Sequence, residues 1–166
     1  MLKFILLDKS KFEAVSTAIF GILAENMSAI APTGSTYEKD YELWFKAVGN
    51  GLKNELRQII LINYGDALIG FFQYYVNDGL FMMEEVQIAP QFQGKDVFRK
   101  LFGFIFSILP GNIEIVEAYA NKQNIKSQDI LQRLGLRQIG ESKDGNSYRY
   151  RGEYASLVDW YSTKSI

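Results

Sequence analysis

The sequence predicts an α/β (α+β) fold: a mixed central sheet in which an antiparallel meander is followed by a parallel βαβ crossover, with helices flanking it. Three observations predict it. Between Arg57 and Ile88 the runs RQIILINY, ALIGFFQYYV and LFMMEEVQI are separated only by the turn words Gly65-Asp66 and Asn77-Asp78-Gly79. Consecutive strands with turns that short form a meander. Between Leu80 and Ala120 a strand, a polar loop, a helix and a second strand follow one another, and a helical crossover makes the two strands parallel. Before and after these stretches, apolar residues recur at spacings of three and four.

Each element follows from local pattern. Leu2 to Leu7 is a short apolar run closed by Asp8 and reads as a first strand. Ser10 to Asn26 carries Phe12, Val15, Ala18, Ile19, Ile22 and Leu23 as a helical stripe. Ser10 reads as its N-cap, with Glu13 three residues on completing a capping box. Ser28 to Ser35, with Pro32 and Gly34, is a loop. Thr36 to Val48 is a second helix with Tyr37, Tyr41, Trp44, Phe45 and Val48 on one face, ended by Gly49-Asn50-Gly51. Within the third strand of the meander, Val86 and Ile88 alternate with Glu85 and Gln87, the period of a half-buried strand. Pro90 stops it, because proline cannot donate to a ladder. Val97, Leu101, Phe104, Ile105 and Ile108 then mark a helix that ends near Pro110-Gly111. Ile113 to Ala120 is a strand, and Asn124 to Leu134 a helix stopped by Gly135. Gln138–Ser142 and Tyr148–Tyr154 pair as a last hairpin, and the tail from Ala155 holds one or two helical turns.

Composition bounds the chemistry. The 166 residues suffice for one domain spanning 1–166 and are short for two ordinary ones. The chain has no cysteine and no histidine. Disulfides, thiolate or imidazole metal sites, a cysteine nucleophile and a Ser-His-Asp triad are therefore excluded, and no metal is expected. A general base must be Glu, Asp, Tyr, a neutral Lys or water. A net charge of −1 argues against nucleic acid as a partner. No run of about 18 apolar residues exists, so no membrane span is expected. MLKFILLDKS is too short and too soon charged for a signal peptide, which predicts the cytoplasm.

The stretch LFMMEEVQIAPQFQGKDVFRKL, Leu80 to Leu101, carries the clearest functional signal. A strand that feeds a helix through a short polar, Gly-containing loop points backbone N–H groups and the positive helix end at one spot. Such a spot suits a phosphate.

VQIAPQFQGK and NIKSQDILQRLGLRQIGE, in the predicted element order, resemble two segments of the GNAT superfamily of acyl-CoA-dependent N-acetyltransferases. The first resembles the end of the family's fourth strand with its pyrophosphate loop. The second resembles the later segment in which an Asn precedes a helix ending in Gly. The resemblance implies a GNAT-like sheet, acetyl-CoA as cofactor, and direct attack by the amine of a small-molecule or protein acceptor. It places cofactor binding at Val86, Gln87, Ile88, Gln93, Gly94, Lys95, Asp96, Val97, Phe98, Arg99 and Asn124. Backbone N–H groups near Val86 to Ile88 would polarise the thioester carbonyl.

The sequence departs from the family pattern at three places. The loop pattern is Gln/Arg, any, any, Gly, any, Gly/Ala, and here it reads Gln93 to Phe98 with Asp96 and Phe98 in place of the two small residues. A carboxylate at that point repels phosphate, with Lys95, Arg99 and Lys100 as offsetting charges, while Asp96 is also a good N-cap. Leu131 stands where many members have a proton-donating Tyr, and Met82 where some have a basic Glu. Glu84, two residues on and on the same strand face, is the candidate base, and Tyr119 the candidate proton donor. A water-facing or ion-paired Glu and a packed Tyr are the plainer alternatives. Most of the early aromatics fit core packing, although they could line an acceptor cleft. Trp160 and Tyr161 fit docking on the domain itself or on a second copy, as in a homodimer. The rival to the enzyme is a non-catalytic module that keeps the fold without efficient CoA binding.

Overall fold

The computed structural model describes residues 1–54, 56–94 and 96–163. It contains seven strands: β1 (Leu2–Leu6), β2 (Gln58–Tyr64), β3 (Ala67–Asn77), β4 (Leu80–Ile88), β5 (Ile115–Asn121), β6 (Arg137–Glu141) and β7 (Ser147–Glu153). Five α-helices accompany them: α1 (Phe12–Met27), α2 (Tyr37–Asn54), α3 (Val97–Ile108), α4 (Ile125–Arg133) and α5 (Tyr154–Thr163). The strands form one mixed sheet in the order β1-β2-β3-β4-β5-β7-β6. β4 and β5 are parallel, joined through α3, whereas β1–β2, β2–β3, β5–β7 and β6–β7 are antiparallel. The mixed sheet, meander and crossover agree with the sequence reading. Two-residue turns set the meander: Asp78 and Gly79 both take positive φ, +47° and +78°, the geometry of a turn that matches strand twist.

The residues cluster in two compact units, Met1–Tyr74 with Glu85–Leu101 and Tyr75–Glu84 with Phe102–Ile166. In the first unit Leu7, Phe12, Ile19, Val48, Leu52, Ile59, Leu61 and Phe71 form a buried cluster, with Trp44 and Phe45 packed on it. Phe12 stacks on Phe45 at 5.4 Å, and Phe20 meets Tyr37 and Tyr41 edge-on. The aromatics of the early helices are thus largely packed against one another. In the second unit α5 docks on α3 through Phe102–Trp160 and Phe106–Tyr161 edge contacts at 5.5 and 5.3 Å. The tail aromatics are occupied within the chain itself. Among the described residues, no helix is long and apolar enough to cross a membrane.

Four local expectations are corrected. Asp8, not Ser10, opens the first helical segment: its Oδ1 accepts from the Ser10 amide at 3.0 Å, and a short 3-10 turn precedes α1. Helix α2 runs through Gly49 and Gly51 to Asn54. The Arg57 guanidinium lies where a Gly51 Cβ would go, and Arg57 Nη1 donates to the Ala47 carbonyl at 3.2 Å. In β4 the polar Gln87 is buried while Val86 and Ile88 are only half-buried. Finally, the Asp96 carbonyl accepts the first helical bond of α3 from Lys100 N at 3.1 Å, but its φ is +65°, not the extended backbone of an ordinary N-cap.

Candidate functional site

The first unit contains the end of β4, the loop and the start of α3. Strand β4 ends in a polar network that tethers it to α1. The Asn26 amide donates to Gln87 Oε1 and to the Ile88 carbonyl, both at 2.9 Å. Gln93 Nε2 donates to the same Ile88 carbonyl at 2.8 Å, and Gln87 Nε2 donates to Glu85 Oε2 at 3.0 Å. A buried amide is costly without partners, so this network explains how a Gln can occupy a buried strand position. It also brings Gln87, Ile88 and Gln93 together, which are three of the expected cofactor residues. Sequence reasoning missed Asn26, because nothing in a helix register marks one polar residue as facing a strand end sixty residues away.

The loop that follows is exposed at Gln93, Gly94 and Asp96, and Lys95 lies outside the described residues. Gly94 and Asp96 both take positive φ, +75° and +65°. A Cβ at Gly94 would meet no atom within 4 Å. Asp and Asn enter this left-handed region more readily than most residues, at a cost that glycine avoids. The Asp therefore occupies a backbone conformation that glycine prefers, at a position where the family pattern has a small residue. Val97 is buried, and Phe98 and Arg99 in the first turn of α3 are half-buried.

In the second unit the parallel ladder pairs Leu80–Met83 with Ile115–Ala118. Met82 is level with Glu117, so Glu84 falls on the same face as Glu117 and Tyr119. Glu84 is half-buried; Tyr119 is exposed. Asn124 is the N-cap of α4: its Oδ1 accepts from Ser127 N at 3.0 Å. Leu131, at the position of the family's tyrosine, is a buried core residue.

Sequence reasoning also passed over Glu117, Arg149 and Arg151. Glu117 is 2% exposed and accepts from both arginines. Arg149 Nε reaches Glu117 Oε1 at 2.9 Å and its Nη2 reaches Oε2 at 3.1 Å, while Arg151 donates to Oε2 through Nε at 2.8 Å and through Nη2. Burial pulls the Glu117 carboxyl upward, but the hydrogen bonds and charges of Arg151 and Arg149 hold it below its ordinary range. The signal was present as Glu-x-Tyr on one strand and Arg-x-Arg on another, but only their pairing puts them on one face.

No known family model matches the sequence, and no curated protein matches it. Solved structures match the fold. A PaiA N-acetyltransferase from Thermoplasma acidophilum, solved in complex with coenzyme A, aligns with 93% of this chain and 99% of its own at a TM-score of 0.71 and 14% identity. A protein assigned to the GNAT family from Desulfovibrio desulfuricans aligns with 92% of this chain and 99% of its own, at a TM-score of 0.66 and 14% identity. Spermidine N-acetyltransferase from Vibrio cholerae, in complex with CoA and spermine, aligns with 95% of this chain and 98% of its own, at a TM-score of 0.59 and 17% identity. The mixed sheet, the parallel β4–β5 pair and these alignments agree: this chain has the fold of the GNAT acetyltransferases.

Proposed function

We propose that this chain is an N-acyltransferase that moves an acetyl group from acetyl-CoA to a small-molecule amine by direct attack. One observation carries the reading. Strand β4 ends at Ile88 and feeds a loop with two left-handed residues, Gly94 and Asp96, at the start of α3. On this reading a pyrophosphate sits against that loop at the start of α3, where helix N–H groups are unpaired within the helix. The Asp96 carboxylate opposes it in charge. Solved neighbours of the same fold bind CoA, which supports the same cofactor here.

On this reading the backbone of Gly94, Asp96 and Val97 holds the pyrophosphate, with Arg99 and Lys95 supplying positive charge. Gln93 fixes the loop to the end of β4, and Asn26 fixes that end to α1. Asn124, whose Oδ1 caps α4, is assigned to the pantetheine arm on the resemblance of its segment. When bound, acetyl-CoA supplies an activated acyl group on a thiol leaving group. Backbone N–H groups of Val86 to Ile88 polarise the acyl carbonyl. Glu84, directly or through one water, takes the proton of the attacking amine, and Tyr119 returns a proton to the departing sulfur. The chain has no cysteine to hold an acyl group, so the transfer is direct.

Calorimetry and thermal shift with CoA and acetyl-CoA test the reading. Binding with a rise in Tm is expected, followed by thiol release on adding an amine. No heat and no shift at millimolar cofactor would leave the second reading, a GNAT-like module without catalysis. Asp96 is the observation that favours it.

A further inference from the structure

We infer that Arg149 and Arg151 form a carboxylate-binding site, so the acceptor is a small amine that also carries a carboxylate, of the amino-acid class. The inference rests on the acyltransfer reading for its meaning, but not for its geometry.

The register places the residues on one face. Met82 on β4 is level with Glu117 on β5, and Glu117 is level with Arg151 on β7. Tyr119 is level with Arg149, and Arg137 on β6 is level with Arg151. Side chains of directly paired residues point to the same side, and so do residues two apart on a strand. Glu84, Glu117, Tyr119, Arg137, Arg149, Arg151 and Glu153 therefore share a face. The proposed proton-transfer pair and the arginines lie on that face together.

The arginines are built to receive an anion. Glu117 engages Nε and Nη2 of each, which fixes both guanidinium groups. Among the described residues, neither Nη1 group has a protein partner, so each arginine keeps unspent N–H donors. Their side chains are 37% and 47% exposed, whereas Glu117 beneath them is 3% exposed. The two guanidinium groups against the buried Glu117 leave a local charge of +1, with Arg137, Glu84 and Glu153 also on the face. A guanidinium presents its donors as a planar fork that matches a carboxylate.

Matched amines that differ only by a carboxylate test this. Lysine is compared with cadaverine and ornithine with putrescine, with acetyl-CoA, following thiol release. The carboxylate-bearing member should be at least tenfold better in kcat/KM. Arg149→Gln and Arg151→Gln should each raise its KM about tenfold, change the diamine far less, and leave CoA affinity measured by calorimetry unchanged. Arg149→Lys, which keeps the charge and loses the fork, should fall between, and thermal melts establish that each variant folds. Equal or better use of the diamines, or an equal loss on both members of a pair, overturns the inference. A second arm needs no cofactor: titration of the protein alone with lysine and with cadaverine, read by thermal shift. A shift with lysine only, lost in Arg151→Gln, supports the site even if acetyl-CoA neither binds nor reacts, in which case only the acyltransfer reading falls. No selective shift there and no selective turnover overturns it.

Discussion

Asp96 stands at a φ of +65° on an exposed loop. A non-glycine residue there carries strain of about 1 kcal/mol. Replacing it with glycine removes the strain and the like-charge repulsion at once. Asp96→Gly should therefore raise Tm by roughly 2–4 °C, the usual response of a chain of this size to about 1 kcal/mol. It should also tighten CoA binding about tenfold, since removing an exposed charge near a phosphate is worth about 1 kcal/mol or slightly more. Melting curves and calorimetry read the two effects separately. A higher Tm with unchanged CoA affinity would mean that the loop is strained but holds no phosphate.

The end of β4 is held by its neighbours at the scale of elements. Gly70 on β3 leaves no room for a side chain: a Cβ there would lie 2.6 Å from the Gln87 carbonyl and 3.3 Å from Ile88 Cα. The obstacle is backbone, which cannot rotate away, so Gly70→Ala must push the strands apart. Overpacking of this kind costs about 1–3 kcal/mol. The displaced segment is the one that the Asn26 amide holds through Gln87 and Ile88. Gly70→Ala should lower the urea midpoint and weaken CoA binding together, whereas Gly65→Ala in the neighbouring turn, strained by its φ of +60° but with nothing within 4 Å, should lower the midpoint and leave CoA binding alone. Equal CoA affinity in both variants would show that the end of β4 takes no part in the site.

For the molecule as a whole, Glu117 couples stability to pH. Its carboxyl titrates below its ordinary value of 4.5, because Arg151 and Arg149 outweigh the effect of burial. A carboxylate lowered in the folded state stabilises above its unfolded pKa, and that contribution is lost as the pH falls through the folded value. Glu117→Gln should cost roughly 2 kcal/mol at pH 7, below the range for a fully buried pair because the arginine heads are partly exposed. Its deficit against the parent chain should shrink once the pH drops below 4.5. Urea midpoints between pH 7 and pH 3 read this, and a constant gap would remove Glu117 from the acid transition.

The sequence by itself determined the order of elements, the meander, the parallel crossover and the strand–loop–helix stretch at Leu80–Leu101. Those follow from periodicities of two and 3.6 and from turn residues, which act over a few neighbouring positions. It failed locally at α2, which runs on past the glycines that read as its end, with the Arg57 guanidinium against Gly51. Only the tertiary structure decided which polar side chains meet. Glu117 finds Arg149 and Arg151 across 32 and 34 residues, and Asn26 finds Gln87 and Ile88 across 61 and 62. Such meetings depend on strand register and on which helix face is turned inward. A single chain fixes both through packing between segments, and no local pattern encodes them.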